Sequence, residues 1–244
     1  TAPGGNAAYG EALAKAVGTE RLVTKATVVR VANHGDKVWT TYVVGEESVT
    51  VESRAVVMAT PKHFAKHVVA DLPATQKEAM SRMRYEPYLV ANVLVEGRMP
   101  MPAYDTWTGD APFADVIVAD WTNPDPNRRE SVLTAYCPLP HLERHRLLDD
   151  GAVTAMGQSV VASLERMYPG LGHQVAEVRA YRRGHPMVCS AVGALTDLRT
   201  LVTRPHGRIF FAHSDSQMAA TIEAAVWEGQ RAGVQALGAA KKVV

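Results

Sequence analysis

Between residues 21 and 58 apolar and polar positions alternate at the two-residue period of half-buried strands. Val28-Val29-Arg30-Val31 and the run Val38 to Val44 are separated by Asn33-His34-Gly35-Asp36, which predicts a hairpin. Ser48 to Glu52 predicts a third strand, and Ala55 to Ala59 a buried one that stops at Thr60-Pro61. Pro3-Gly4-Gly5-Asn6 precedes an alanine-rich stretch, Ala7 to Val17, predicting a helix with Asn6 as its cap. A helix over Pro73 to Met83 and a strand over Leu89 to Val95 follow. From Gly151 to Tyr168 the period lengthens: Val153, Met156, Val160, Val161, Leu164 and Met167 make one helical stripe, ended by Pro169-Gly170. Residues 96–150 lack a clean period and read as irregular strands and loops.

The most informative stretch lies near the end of the chain. Ile209-Phe210-Phe211 after a Gly-Arg pair reads as a short strand covered on both faces. A polar turn, His213-Ser214-Asp215, then precedes a helix with Thr221 as N-cap and Glu223 in its positively polarised first turn. Ile222, Ala225, Val226, Gly229, Gly233 and Leu237 recur at helical spacing, and the small residues Ala224, Ala225, Gly229, Ala232 and Gly233 would let the helix sit very close to a sheet or a flat ligand. Strand, acid and helix start together suit a phosphate, a ribityl chain or an electron-rich ring edge.

Composition narrows the setting. A chain of 244 residues has room for one substantial core or two modest ones. A net charge of +1 gives no reason to expect a nucleic-acid partner. Cys137 and Cys189 are too few for a disulfide framework, the apolar runs are far short of a membrane span, and the compartment stays open. His63 and His67, like His141 and His145, stand four apart, but Phe64 and Leu142 occupy the position a metalloprotease helix gives to Glu, and no metal is expected.

Phe211-Ala212-His213-Ser214-Asp215 and Glu223-Ala224-Ala225-Val226-Trp227-Glu228-Gly229-Gln230-Arg231-Ala232-Gly233 resemble the C-terminal flavin motif of the flavin-containing amine oxidase superfamily, roughly Phe-Ala-Gly-x-Glu, then Glu-Gly-Ala-x-x-Ser-Gly-x-x-Ala-Ala. Asp215 keeps the carboxylate, whereas His213 and Ala224 replace glycines. Pro3-Gly4-Gly5 with its helix is similar to an element that stands midway through full-length members, and no Gly-x-Gly-x-x-Gly occurs in the chain. The resemblance therefore implies an α/β (α+β) fold that is the C-terminal part of a two-domain, Rossmann-like FAD-binding flavoprotein. Residues 1–72 and 191–244 would form a partial FAD-binding domain lacking the fingerprint segment, and residues 73–190 an antiparallel-sheet substrate domain. A companion chain or segment at the N-terminal side would carry the fingerprint.

The same resemblance implies site residues. Val28 would hold the adenine through its backbone, and Thr60-Pro61 would lie beside the dinucleotide. Asp215 would hydrogen-bond the ribityl chain or bridge the pyrophosphate region. Thr221, Ile222 and Glu223 would face the pyrimidine side of the flavin ring, where a helix start stabilises the charge of the reduced cofactor. His185 is nearest the place that passes the flavin, as proton acceptor, substrate contact or simply a hydrogen-bonded histidine. Arg182 and Arg183 are candidates for a substrate carboxylate or a solvated pair. Tyr104, Trp107, Phe113, Trp121 and Tyr136 are candidates for a substrate cavity or for core. The lysine that many family oxidases use beside flavin N5 falls on Val90 or Ala91, and Thr221 replaces an aromatic cage residue. These features imply an FAD-dependent oxidoreductase acting on an amine or amino acid, with a flavin-dependent desaturase or isomerase, or a non-catalytic subunit completing a partner's fold, as alternatives.

Overall fold

The alternation of valine with polar residues after position 25 builds a real three-stranded sheet, seen in a computed structural model that describes residues 2–97, 103–122, 124–125, 127–190 and 192–241. The first helix, α1 (Ala7–Val17), precedes it. Asn6 already has helical backbone angles and makes no side-chain cap bond, contrary to the sequence expectation, because a cap residue must stand in extended geometry to reach the free amides. The sheet pairs β1 (Ala26–His34), β2 (Lys37–Val44) and β3 (Glu47–Ser53) antiparallel, in that order. Gly35, with φ 60°, sits in the two-residue turn between His34 and Lys37. The β1–β2 ladder slips once: Val28 opposes Tyr42 and Arg30 opposes Thr41, leaving a bulge at Val29.

The chain divides into two compact units, one of residues 23–85 and 187–244, the other of residues 1–22 and 86–186. In the first, β4 (Val56–Met58) lies parallel to β10 (Ile209–Phe211), with Val57 opposite Phe210. All three residues of β10 are buried, as a strand covered on both faces requires. Around this pair stand α2 (Lys62–Val68), α3 (Ala74–Arg82), α5 (Arg199–Thr203) and α6 (Ile222–Lys241). Val31, Val38, Met58, Ala65, Met80, Val202 and Phe211 share one core. Asn33 fixes the approach to β10, donating to the His206 carbonyl at 3.0 Å and accepting from the Arg208 amide at 2.9 Å.

In the second unit a five-stranded sheet runs in the order β6 (Asp105–Trp107), β7 (Asp115–Val118), β8 (Glu130–Pro138), β5 (Arg84–Glu96) and β9 (Val175–Cys189). The odd-numbered side chains of β5 from Leu89 to Val95 are sealed, and those of β8 match them. They share a core with α4 (Asp150–Met167), which Asp149 caps by accepting from the Gly151 and Ala152 amides at 2.8 and 3.1 Å.

These units differ in extent from the sequence expectation. The N-terminal segment belongs with the five-stranded sheet, where the Gly4 amide donates to the Thr122 carbonyl at 2.9 Å. Helix α3 belongs with the parallel pair: Ala79 and Met80 enter that core, and Gln76 donates to the Arg204 carbonyl at 2.7 Å. Long-range packing decides both, and local sequence carries no record of it.

Candidate functional site

The turn that closes β10 is built around a buried ion pair. Pro61 stands just ahead of α2, its fixed φ suiting a helix start, and puts Lys62 at the first position of the helix. The next inward positions on that helix are Ala65 and Val68, so Lys62 occupies the head of an apolar stripe and is wholly buried. Its Nζ donates at 2.7 Å to each of the Ala212 carbonyl, Asp215 Oδ1 and Ser216 Oγ. Three acceptors at that distance match the three donors of an ammonium. Asp215 Oδ2 accepts from the Lys62 amide and from the Tyr85 hydroxyl, both at 2.7 Å. The His213 ring adds an Nδ1 at 3.2 Å from Asp215 Oδ1 and accepts from the Asp215 amide at 3.2 Å.

The electrostatics follow from this packing. Burial works to raise the Asp215 carboxyl, but the adjoining His213 ring and the Lys62 charge outweigh burial and hold it well below the ordinary carboxylate range. Burial pulls Lys62 down while the Asp215 charge opposes it. Tyr85 is pushed far up by burial and by the charge of Asp215, so its hydroxyl stays a proton donor. His213 sits at φ 96° and ψ 146°, a region that side-chain-bearing residues rarely occupy, where the family pattern has glycine.

Helix α6 begins a few residues later. The Thr221 hydroxyl accepts from the Ala224 amide at 3.1 Å, the expected N-cap, and Thr221, Ile222 and Glu223 are exposed. The first amides of the helix thus open at a bare surface. Of the small residues expected to allow close approach, Ala224 and Ala232 are buried, and the larger apolar residues are not. Ala224, Glu228 and Ala232 are the buried residues, whereas Ile222, Val226, Trp227, Val234 and Leu237 are exposed. Small alanines let the helix approach the strand pair closely. Glu228 is admitted because Arg231 pairs with it at 2.6 Å and also donates to the Phe211 carbonyl at 2.5 Å, with Gln217 adding a further bond.

The remaining residues expected in this unit are distributed as follows. Val28 is half-buried beside the β1 bulge. Thr60 and Pro61 form the turn before α2, and Thr60 Oγ1 is sealed from solvent without a partner. Asp215 faces inward with 1% exposure, not toward an open crevice. Lys62, Tyr85 and Ser216 escaped the sequence reading; a lysine heading the spacing Lys62, Ala65, Val68 was the available signal for the first of them.

In the other unit the strand register lays out a half-open face. Asp105 opposes Ile117, Ile117 opposes Thr134, and Thr134 opposes Asn92, so these four share one row. The neighbouring row is Trp107, Asp115, Tyr136 and Val90. Trp107 donates to Asp105 Oδ2 at 2.9 Å, and Asp105 Oδ1 is sealed without a partner. Tyr88 and Tyr136 meet edge-on at 5.9 Å, as do Tyr104 and Trp121 at 6.3 Å. Burial, with Asp105 adding its charge, raises the Asp115 carboxyl above its ordinary value. Phe113, by contrast, is core. His185 lies exposed on β9, and Arg182 makes an exposed ion pair with Asp150.

Comparisons with known proteins bear on what these sites are for. A family model described as flavin containing amine oxidoreductase matches residues 1–237. Oxidoreductase PigB of Serratia sp. (strain ATCC 39006) is 24% identical over 248 residues, covering 94% of this chain and 37% of the relative. Among solved structures, cyclohexylamine oxidase from Brevibacterium oxydans IH-35A superposes with a TM-score of 0.73 at 15% identity, over 95% of this chain and 51% of that one. Putrescine oxidase bound to putrescine superposes with a TM-score of 0.74 at 18% identity, over 96% and 53%. The chain thus spans roughly half the length of those structures and about a third of the curated relative.

Proposed function

The chain belongs to the flavin containing amine oxidoreductases, and on that premise we propose that it is the C-terminal portion of an FAD-dependent enzyme oxidising an amine or amino acid. The observation that carries the proposal is the open start of α6, capped by Thr221 and set directly after a β10 turn held rigid by Lys62 and Asp215. The residues present fit a flavin dinucleotide. Thr60 Oγ1 is an orphaned polar atom in the turn before α2, and the bulge beside Val28 disrupts the ladder where the resemblance expects a backbone contact with adenine.

When bound, FAD accepts a hydride from a C–H next to nitrogen. The chain's own residues supply placement and charge. Ile222 and Glu223 present amides at the positive end of the α6 dipole, suited to a ring edge that gains negative charge. Val28, Thr60 and Pro61 would hold the adenosine side. Asp115 and Asp105, with the Tyr88 and Tyr136 rings, offer negative charge and aromatic faces to an ammonium group. His185 is the candidate proton acceptor on β9. Val90, on the half-open face, or Ala91 stands where the resemblance expects a lysine, which weakens the case for fast oxygen chemistry and leaves dehydrogenase, desaturase or slow-oxidase behaviour open.

We also propose that a companion segment carrying the dinucleotide fingerprint completes the fold. Support comes from the share of the relatives lying beyond this chain and from the outward apolar residues of α6. The test is flavin content. Protein expressed from its full natural reading frame, or together with a fingerprint-bearing companion, is expected to purify with yellow flavin absorbance that bleaches under an amine without oxygen. A colourless product indifferent to added FAD sinks the reading, and bleaching only by an apolar, nitrogen-free substrate points instead to a desaturase.

A further inference from the structure

The flavin motif of this chain contains a carboxylate that is turned into the protein and bonded there. A carboxylate accepts through about four lone-pair directions. For Asp215 three of these are met by Lys62 Nζ, the Lys62 amide and the Tyr85 hydroxyl, each at 2.7 Å, and the residue is 1% exposed. Lys62 has its three donors taken by the Ala212 carbonyl, Asp215 and Ser216. A carboxylate so buried could turn to a ribityl hydroxyl only by leaving a buried ammonium or a buried phenol unpaired. The lysine also grips the turn on both sides of His213, whose φ of 96° is held against its own side chain.

We propose that Lys62 is a positioning residue that locks Asp215 as an internal anchor, so that this turn meets the cofactor through backbone groups and the start of α6, not through the motif carboxylate. The inference rests on the flavin reading above and adds a role that the motif alone does not suggest.

A paired substitution separates an anchor from a ligand. Lys62→Met and Asp215→Asn each strand one half of a buried pair, and each is expected to lower the melting temperature by about 10 °C and to reduce flavin affinity. The double variant Lys62→Met/Asp215→Asn removes both charges, keeps an acceptor for the Lys62-position amide and Tyr85, and is expected to regain most of the melting temperature. Its flavin affinity should return to within roughly threefold of wild type. A double variant that melts normally yet binds flavin about tenfold more weakly would show that the carboxylate touches the cofactor, and the proposal would fall. Should the double variant not fold, the wild-type protein decides. The Asp215 carboxyl-carbon resonance, identified by its loss in Asp215→Asn, is expected to stay put on FAD addition, and a clear shift overturns the proposal. If the wild type binds no FAD, the flavin reading fails by itself. The anchor then stands or falls on whether the melting losses are non-additive.

Discussion

Asp215 shows how far a residue's role depends on its surroundings. Its carboxyl is held below the ordinary range in the folded chain, so the unfolded chain takes up the proton first as pH falls. The stability this group supplies is present above the unfolded value of about 3.9 and is lost as pH drops below it toward the folded value. Acid melts followed by circular dichroism should therefore show a steep decline below about pH 4 in the wild type and a shallower one in Asp215→Asn. Identical slopes would contradict the buried pair. Asp215 itself was legible as an acid at the close of a strand, because the apolar run before it and the capped helix after it are local patterns. Lys62 was not, because its partner lies 153 residues away in the chain and no local period links them. Thr60, expected near the cofactor, has its hydroxyl sealed and unpaired, so Thr60→Val is expected to cost less than about 1 kcal/mol of stability. On the flavin reading it would still weaken FAD binding, which calorimetric titration would measure.

At the scale of elements, the hydrophobic period located α4, β5, β10 and the hairpin β1–β2, and cap chemistry placed the start of α6 at Thr221. Replacing that cap, Thr221→Ala, is expected to cost about 1 kcal/mol, roughly 2–4 °C in a melt for a chain of this size. A larger loss would mean the hydroxyl does more than satisfy one amide. Gly207 offers a sharper test of a turn. With φ 59° and an added Cβ meeting Asn33 Oδ1 at 2.5 Å, Gly207→Ala should destabilise by about 1–3 kcal/mol, measurable by urea unfolding. The helical spacing in α6 left its inward face open for a physical reason. Periodicity says which residues share a face but not which face turns inward, and in this helix the small residues and a paired glutamate win the contact with the strands. The Asn6 cap failed, since residue type predicts a cap only when the backbone is extended there.

At the scale of the molecule, the half-open sheet face sets the expectation for substrate. On the amine reading, Asp115→Asn in flavin-loaded protein should raise KM for a cationic amine by about tenfold while leaving a neutral analogue nearly unchanged. Equal effects on both would remove Asp115 from recognition. The row that joins Asp105 to Asn92 exists only because four strands pair in one register, each contributing one residue. Sequence by itself determined the elements, the flavin motif and the family resemblance, because helix and strand periods, caps and turn residues act over a few positions at a time. Tertiary structure alone grouped residues 1–22 with the unit of the five-stranded sheet and turned the large apolar residues of α6 outward. It also decided that the motif carboxylate turns inward onto a lysine. Burial and charge pairing are settled by contacts between distant segments, and those contacts have no period to read.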